Sequence, residues 1–514
     1  MDVAPSPEAF AKAYTAGQAQ VVFTRLVADL ETPVSAYLKL AAPGGMSFLL
    51  ESVEGGAQRG RYSIIGLKPD AVFRAQGAVA EINRAPTEKP DDYQPVSQPT
   101  LRALRSFLAE SAMALPEDMP PMAAGVFGYM GYDTVRLIET LTDAPPDDLG
   151  VPDALLMRPT VMVIFDTVRD EMTIVTPVRP RPRTSAKAAR AAASARLAAV
   201  IAALGTPLEH AASAGGGDLT QPDPVSNTSE LRYLDMVSRA KSYIAAGDIF
   251  QVVLSQRFST PFSLPPFSLY RSLRRLNPSP YLFHLDFGSF ALVGSSPEIL
   301  VRVRNGEVTI RPIAGTRRRG TSAAEDAALE SDLLADPKER AEHLMLLDLG
   351  RNDIGRVADV GSVAVTSQFV VERYSHVMHI VSNVTGRLDQ ERHDTVDALM
   401  AGFPAGTVSG APKVRAMQII DELEVAKRGP YAGCVGYFSA DGNMDTCIVL
   451  RTALVKDGML HVQAGAGIVH DSVAASEQQE CINKAMAVVR AAEAAVRFAG
   501  GEKDRRGGNG GVFG

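Results

Sequence analysis

Two acidic segments, more than a hundred residues apart in the 514-residue chain, place the strongest demand on its fold. Glu339–Glu342 and Glu477–Glu480 share the spacing Glu-x-x-Glu, which puts two carboxylates on one face of a helix. Either pair alone is typical of a solvated helix surface. If the fold brings the two helices together, the four carboxylates form a set of oxygen ligands suited to Mg2+. We therefore expect a magnesium site that handles an anionic substrate.

The composition indicates a globular protein, with 46% hydrophobic and 22% charged residues. The net charge of −7 argues against nucleic acid as a partner, because phosphate binding needs a basic face. Cys434, Cys447 and Cys481 match neither a zinc motif nor a disulfide framework, which fits a reducing cytoplasm. No apolar run is long enough to span a bilayer, so we expect a cytoplasmic location without a membrane partner.

The pattern of apolar residues predicts an α+β fold. Short apolar or alternating runs, among them Ser63–Leu67 and Ala71–Arg74, predict strands between about residues 20 and 178. An amphipathic helix is predicted over Leu231–Ala246 with Gly247 as its C-terminal cap, followed by a strand over Ile249–Phe258. Strands and helices then alternate without the regular βαβ rhythm of a doubly wound fold.

A change of composition predicts where the chain divides. The segment 181–228 contains arginine–proline alternation that begins at Arg179, an alanine-rich stretch and Gly215-Gly216-Gly217, which together indicate a linker or surface excursion. We therefore expect an N-terminal part over residues 1–180 and a second domain over residues 229–498. The glycine-rich residues 499–514 are expected to form a flexible tail.

Several motifs, taken together and in order, resemble one known family. They include GDIFQVVLSQRF (247–258), GSSPEIL (294–300), RPIAGTRRRG (311–320), KERAEHLMLLDLGRND (338–353), GTVSGAPKVRAM (406–417) and SEQQECINKA (476–485). This set resembles the chorismate-utilising enzymes, specifically component I, the large subunit, of anthranilate synthase. The resemblance covers roughly residues 20–495. It implies a two-sheet β-sandwich surrounded by helices, with residues 229–498 as the chorismate-binding catalytic domain.

The resemblance also implies roles for individual residues. For the metal it implies Glu342 and Glu480 as direct ligands and Glu339 and Glu477 as ligands through water. Its implied catalytic residues are Glu298 as general acid, His379 for the later loss of pyruvate, and Thr407. Its implied substrate-binding residues are Thr316, Tyr431, Arg451, Gly465, Gly467 and Lys484. A glutamic acid donates a proton at neutral pH only if burial or neighbouring carboxylates raise its pKa.

Two positions separate the members of the family. A lysine that activates water in isochorismate synthases is replaced here by Gln251, and the nucleophilic lysine of aminodeoxychorismate synthases is replaced by Ala314. The implied reaction is therefore attack of ammonia on chorismate, giving aminodeoxyisochorismate and then anthranilate and pyruvate, the first step of tryptophan biosynthesis. Aminodeoxychorismate synthase, isochorismate synthase and a catalytically silent tryptophan sensor remain alternatives. The chain has no Gly-x-Cys-x-Gly elbow, which implies a separate glutamine amidotransferase subunit, component II, as the ammonia source.

The N-terminal part resembles the feedback site of this family. A carboxylate suits the ammonium group of an amino acid, and aromatic walls suit an indole ring. By resemblance, the residues expected to bind tryptophan as an inhibitor are Glu51, Ser52, Pro280, Tyr281, Leu282, Val435 and Tyr437.

Overall fold

The computed structural model of the protein describes residues 2–42, 44–54, 58–208, 222–374 and 377–499. Residues 209–221 of the predicted linker and residues 500–514 of the predicted tail lie outside these ranges. The described residues form eleven α-helices: α1 (Pro7–Thr15), α2 (Pro33–Leu40), α3 (Thr100–Ser111), α4 (Ala186–Leu204), α5 (Glu230–Ala245), α6 (Pro266–Leu276), α7 (Ala323–Ala335), α8 (Pro337–Gly355), α9 (Thr395–Gly402), α10 (Lys413–Leu423) and α11 (Ala474–Ala499).

The strands of the described residues are β1 (Gln20–Val27), β2 (Ser47–Glu54), β3 (Gln58–Gln76), β4 (Val79–Asn83), β5 (Gln94–Val96), β6 (Gly125–Met130), β7 (Ala154–Asp166), β8 (Glu171–Val178), β9 (Val225–Ser226), β10 (Gln251–Pro261), β11 (Tyr281–Asp286), β12 (Phe290–Ser296), β13 (Ile299–Arg304), β14 (Glu307–Ile310), β15 (Ile313–Arg318), β16 (Ala364–Arg373), β17 (Val377–Arg387), β18 (Gly410–Ala411), β19 (Cys434–Ser439), β20 (Met444–Ile448), β21 (Thr452–Lys456) and β22 (Met459–Ile468).

Two long strands, β3 and β7, pair with each other and pass from one sheet into another. Their pairing runs from Tyr62 with Asp166 to Ala75 with Ala154, and its register shifts next to the facing residues Pro69 and Pro159. Prolines lack the N–H that a ladder needs, so they mark the transition. The first sheet has the order β1-β8-β7-β3-β2-β11-β12-β21-β22-β10. The second has the order β5-β4-β3-β7-β6-β19-β20-β13-β14-β17, with β15 and β16 paired to β17.

Side chains alternate between two core layers along these strands. In β7, Val161 and Val163 pack with α1, α2, α4, α6 and α11, whereas Met162 and Ile164 pack into the core between the sheets. A third apolar cluster lies between the second sheet and α3, α5, α8, α9 and α10. This alternation is the expected period of two for strands buried on both faces. The predicted α+β class, with a two-sheet sandwich surrounded by helices, is confirmed.

Strands from both sides of segment 181–228 contribute to both sheets. β2 pairs with β11 in the first sheet, and β6 pairs with β19 in the second. Within the segment, α4 packs on β1 and β8. The division at 181–228 stays a prediction, and the structure adds that the two parts are joined through paired strands. Within the described ranges, every helix is too short or too polar to traverse a lipid bilayer.

Local sequence signals account for α5, at the start of the second part, and for α8, which carries the first acidic pair. Ser229 accepts a hydrogen bond from the backbone N–H of Arg232 at the start of α5, and Gly247 follows its end with a φ of +84°. The predicted helix over Leu231–Ala246 is therefore confirmed. Asp336 caps α8 by accepting from the backbone N–H groups of Lys338 and Glu339, and Pro337 occupies the first turn.

Candidate active site

α8 and α11 place the two acidic pairs close enough for their charges to act on one another. Burial raises the pKa of Glu342, and the negative charges of Glu339 and Glu480 raise it further. Burial and the charge of Glu480 likewise raise the pKa of Glu477, although a hydrogen bond from Ser472 lowers it. Because these carboxylates feel one another's charge, the four predicted metal ligands share one electrostatic environment.

The four glutamates differ in their partners. Glu339 pairs with Arg317 at 3.2 Å, and Glu480 pairs with Lys484 at 2.6 Å. Neither Glu342 nor Glu477 forms an ion pair within the described ranges. In that part of the chain no three His, Cys, Asp or Glu side chains are gathered closely enough to hold a metal ion. The chemistry of the donors nevertheless fits a hard divalent cation, because a cation would offset the repulsion that raises these pKa values.

Glu298 is a buried acid at the turn between β12 and β13. Only 5% of its surface is exposed, and its Oε1 accepts a hydrogen bond of 2.8 Å from the Thr407 hydroxyl. Burial raises the pKa of Glu298 to about 8, despite the opposing effects of Thr407 and the positive charge of Arg451. The carboxyl group is therefore protonated at neutral pH, as a general acid requires. The structure thus places two of the three predicted catalytic residues in direct contact.

His379, on β17, lies beside β15 in a defined protonation state. Its Nδ1 is 2.9 Å from the carbonyl oxygen of Gly315 and 3.1 Å from the Thr316 hydroxyl. Because a carbonyl only accepts, Nδ1 carries the proton, and Nε2 keeps its lone pair. Burial lowers the pKa of His379, so the ring is neutral. A neutral imidazole with a free Nε2 is equipped to accept a proton.

Arg451 is a half-buried cation, and the described residues give it no carboxylate partner. It follows β20 with a φ of +49°, and within the described ranges it forms no ion pair. Burial lowers its pKa, whereas the nearby Glu298 and Tyr374 raise it. An unpaired guanidinium in this position is a ready site for a ligand carboxylate, which it would hold as a planar fork.

The two predicted glycines, both on β22, allow close approach of neighbouring residues. A Cβ atom on Gly465 would lie 2.9 Å from the carbonyl oxygen of Leu254 and 3.0 Å from the Tyr431 hydroxyl. A Cβ atom on Gly467 would lie 2.6 Å from Gln251 Nε2. Lys484 Nζ donates to the carbonyl oxygen of Gly465 at 2.9 Å. These four predicted substrate-binding residues therefore lie together.

Gln251 is a further residue of the site. In the sequence it served only to distinguish the members of the family. Its side chain is 5% exposed, and Nε2 donates to Glu342 Oε1 at 3.4 Å. Its Oε1 is buried and has no hydrogen-bond partner in the described part of the chain. An orphaned buried acceptor is costly unless a ligand or water satisfies it. The signal that pointed to it was its position, where isochorismate synthases have lysine.

The predicted tryptophan-binding residues lie at the junction of the two parts. Val435 and Tyr437 belong to the core between the sheets, the half-buried Tyr281 packs against it, and Leu282 pairs with Glu51 across β11 and β2. Pro280 directly precedes β11, and Ser52 packs against the position of Gly60.

Glu51 already has cationic and hydroxyl partners. Its carboxylate accepts hydrogen bonds from Arg274 at 2.6 and 3.0 Å and from Tyr270 at 2.5 Å. The tryptophan-binding role of these residues stays a prediction, and the structure adds that Glu51 is an ion-paired carboxylate.

Comparison with known proteins places this geometry in context. The chorismate binding enzyme family matches residues 47–490. Anthranilate synthase component 1 of Cereibacter sphaeroides is 55% identical over 506 residues, 98% of this chain and 99% of that protein. The Thermus thermophilus protein of the same name is 49% identical over 469 residues, 91% of this chain and 97% of that protein.

Solved structures agree with the architecture. The crystal structure of anthranilate synthase component I from Streptococcus pneumoniae is 38% identical, with a TM-score of 0.74 over 91% of this chain and 99% of that chain. The menaquinone-specific isochorismate synthase of Escherichia coli, at 20% identity, has a TM-score of 0.69 over 95% of this chain and 99% of that chain. The latter likeness concerns the fold alone.

Proposed function

This chain belongs to the chorismate binding enzyme family, and from that premise we propose that it is the large subunit of an anthranilate synthase, which converts chorismate and ammonia to anthranilate and pyruvate. The observation that carries the proposal is that Arg451, which forms no ion pair among the described residues, lies near both the buried, protonated Glu298 and the neutral His379. The three side chains thus offer a proton donor, a carboxylate receptor and a proton acceptor at one place.

The first step forms one bond and breaks another. Ammonia attacks C2 of chorismate, the ring double bonds shift, and the C4–O bond breaks. Hydroxide is a poor leaving group, so Glu298 gives its proton to the departing oxygen, which leaves as water. Arg451 holds the enolpyruvyl carboxylate during this step, with Tyr431 and the backbone of Gly465 beside it.

The second step restores aromaticity. His379 Nε2 takes the proton from C2, the C3–O bond breaks, and the released enolpyruvate becomes pyruvate. The hydrogen bond from Nδ1 to the Gly315 carbonyl holds the ring in the tautomer that this transfer needs. General acid–base steps of this kind contribute about 10²–10⁴-fold each to the rate.

Mg2+ would be held by Glu342 and Glu480, with Glu339 and Glu477 around it, and when bound it would neutralise the ring carboxylate. The chain itself supplies the anion-binding groups, the acid and the base.

Gln251 explains why ammonia suits this cleft. Its unpartnered Oε1 accepts an N–H of ammonia and leaves the nitrogen lone pair free for attack. Neither Gln251 nor Ala314 provides the lysine that alternative family reactions use. Ammonia therefore arrives from a separate glutamine amidotransferase subunit, component II. Tryptophan binding between β2, β11 and β19 would inhibit by biasing how the two parts are arranged.

The experiment uses the purified chain with chorismate, Mg2+ and an ammonium salt. Fluorescent anthranilate is the expected product, and Glu480→Ala should abolish its formation. Glu493→Ala, on the same helix α11 but outside the acidic pair, is the matched control and should retain activity. A folded wild-type chain that forms no anthranilate would disprove the proposal, and a product of another mass would indicate one of the alternative synthases.

The partner and the inhibitor need separate measurements. Glutamine should replace the ammonium salt only after component II is added. The chain contains no tryptophan, so binding of added tryptophan is visible in that ligand's own fluorescence. Tyr437→Ala should weaken both binding and inhibition. Tryptophan binding without any turnover would instead support the silent sensor.

A further inference from the structure

A buried ion pair lies between α10 and β19, and neither of its residues takes part in the proposed reaction. Glu424 directly follows α10, and Arg428 comes four residues later in the loop that leads to β19. Their side chains are 3% and 1% exposed, and Arg428 Nη2 lies 2.6 Å from Glu424 Oε1. Arg428 Nε donates to the other carboxylate oxygen at 3.0 Å. The guanidinium and the carboxylate therefore form a two-point pair that is almost closed to solvent.

Arg428 also holds the segment that carries Thr407. Its Nη1 donates to the carbonyl oxygen of Val408 at 2.7 Å. Val408 directly follows Thr407, whose hydroxyl donates to the carboxyl of Glu298 at 2.8 Å. A carbonyl oxygen that is bound to a buried cation cannot move without losing a charge-assisted hydrogen bond. The position of Thr407, and through it the orientation of the proposed acid, therefore depends on Arg428.

The same ion pair holds β10 beside β22, the strand of the predicted substrate-binding glycines. Arg428 Nη2 donates at 2.7 Å to the carbonyl oxygen of Val253, which belongs to β10. Glu424 Oε1 accepts from the backbone N–H of Ser255 at 2.8 Å and from its hydroxyl at 2.9 Å. Ser255 lies directly opposite Gly465 in the pairing of β10 with β22. Both members of the ion pair thus fix the strand that faces Gly465.

Two tyrosine rings lie against the guanidinium of Arg428. Its Cζ is 4.7 Å from the centroid of the Tyr132 ring and 5.6 Å from that of the Tyr431 ring. Cation–π contacts of this kind are strongest when the cation is desolvated, as it is here. The backbone N–H of Tyr431 also donates to the carbonyl oxygen of Arg428 at 3.3 Å. Tyr431, a predicted substrate-binding residue, is therefore held through both its ring and its backbone.

A buried ion pair adds little net stability, because removing two charges from water costs about as much as their attraction returns. The best-attested use of such a pair is to fix one arrangement of the chain. The parts that Arg428 fixes are those beside Thr407, Gly465 and Tyr431. Within the described ranges, Arg428 contacts neither His379 nor Arg451 through a hydrogen bond, an ion pair or a ring.

We propose that Arg428, paired with Glu424, is a positioning residue for the first step of the reaction, in which the C4–O bond breaks. The inference rests on the proposed function. Arg428 touches no reacting atom, and it acts through Thr407, which orients the acid Glu298, and through Tyr431, which lies beside the enolpyruvyl group. The second step uses His379, which Arg428 does not hold, so it should depend on Arg428 much less.

The test measures the two steps separately on the purified full chain with Mg2+, under single-turnover conditions. Consumption of chorismate in saturating ammonium reports the first step, and formation of anthranilate from added aminodeoxyisochorismate reports the second. Arg428→Lys keeps the cation but loses the planar fork, so it cannot hold Glu424 and both carbonyl oxygens at once. The first step should slow by about tenfold or more, because the acid and the substrate are no longer aligned. The second step should change little.

The control is Arg158→Lys, which makes the same change at another buried guanidinium. Arg158 is 5% exposed and is bound to Asp70 at 2.7 Å and Glu110 at 2.9 Å. Both steps should keep their rates in this variant. The ratio of the two rates does not depend on the fraction of folded protein, so loss of stability alone leaves that ratio unchanged.

A second variant covers the case in which Arg428→Lys does not fold by circular dichroism. Ser255→Ala removes one hydroxyl from Glu424 and leaves the ion pair in place, so it should lower the same ratio to a smaller extent. An unchanged ratio in the variant that folds would overturn the proposal, as would an equal fall of the ratio in Arg158→Lys. A folded wild-type chain that converts neither substrate would instead refute the proposed function, and this inference with it.

Discussion

Two regions of this protein bury a carboxyl group to the same extent and use it in opposite ways. Glu298 in the catalytic cleft is 5% exposed, and Glu51 between the two parts is 6% exposed. Glu298 receives a hydroxyl hydrogen bond and keeps its proton, whereas Glu51 is clamped by Arg274 and Tyr270. Burial alone therefore does not identify a reactive group. The partner decides whether a buried carboxyl is an acid or a structural tie.

The arginines of the two regions show the same contrast. Arg451 in the cleft has no carboxylate partner in the described part of the chain, whereas Arg274 and Arg304 are paired with Glu51 and Asp445. A ligand that carries its own carboxylates is the partner that the cleft lacks. In the inter-sheet region the charges are already matched within the chain, so changes there should affect stability before they affect catalysis.

The largest expected effect separates the two carboxyl groups directly. Glu298→Gln keeps the size of the side chain but removes the proton that the leaving oxygen needs. Anthranilate formation should fall by about 10²–10⁴-fold. The free energy of unfolding at neutral pH should stay the same or rise, because no carboxyl has to be buried. A fluorescence assay measures anthranilate formation, and chemical denaturation measures the free energy of unfolding. Near-normal activity of Glu298→Gln would refute the role of Glu298.

The pH profile sharpens this assignment. The acid is active when protonated, so activity should be present below the pKa of about 8 and decline as pH rises through it. The free energy of unfolding changes with pH in the same direction. The folded pKa of Glu298 lies above the ordinary 4.5, so the stability that its protonated carboxyl contributes is lost as pH rises from about 4.5 to about 8. In Glu298→Gln the free energy of unfolding should no longer depend on pH through this group. An unchanged pH profile of unfolding would contradict the raised pKa of Glu298.

The reverse outcome is expected at Glu51. Glu51→Gln leaves Arg274, whose side chain is only 18% exposed, without its counter-charge, which should cost about 3 kcal/mol of unfolding free energy. The fraction that remains folded should form anthranilate at the normal rate in the presence of ammonium. Tyr270→Phe removes one hydrogen bond to the same carboxylate but no charge, so it serves as the milder control. If Glu51→Gln lowered the free energy of unfolding by less than Tyr270→Phe does, the contrast drawn between the two regions would be wrong.

The sequence predicted the elements well and their partners poorly. α8, which carries the first acidic pair, follows from its local cap, and α5, with Gly247 after its end, follows from its cap and its periodicity. By contrast, Ser63–Leu67 and Ala71–Arg74 belong to one strand, β3, because Lys68-Pro69 interrupts the pattern but not the pairing with β7. That pairing is a long-range contact, which local patterns do not contain.

The same limit applies to the sites. The family motifs predicted that Glu298, His379 and Arg451 act at one site. Whether each group is protonated or ion-paired depends on neighbours that only the fold supplies. Arg274 reaches Glu51 from 223 residues away, and no motif marks that pair. Likewise, the unpartnered Oε1 of Gln251 depends on strands and helices that are distant in the sequence.

The smallest expected effect tests whether the charged groups of the inter-sheet region are paired with one another. The Tyr281 hydroxyl donates a 3.4 Å hydrogen bond to Asp445, whose other oxygen accepts from Arg304 at 3.1 Å. Tyr281→Phe should therefore lower the free energy of unfolding by only about 0.5–1.5 kcal/mol, because Asp445 keeps its cation. Tyr93→Phe is the control, since the Tyr93 hydroxyl makes no hydrogen bond in the described part of the chain. Anthranilate formation should be unchanged in both variants. A loss of activity in Tyr281→Phe, rather than of stability, would show that this hydroxyl acts on the cleft and that the two regions are not separate.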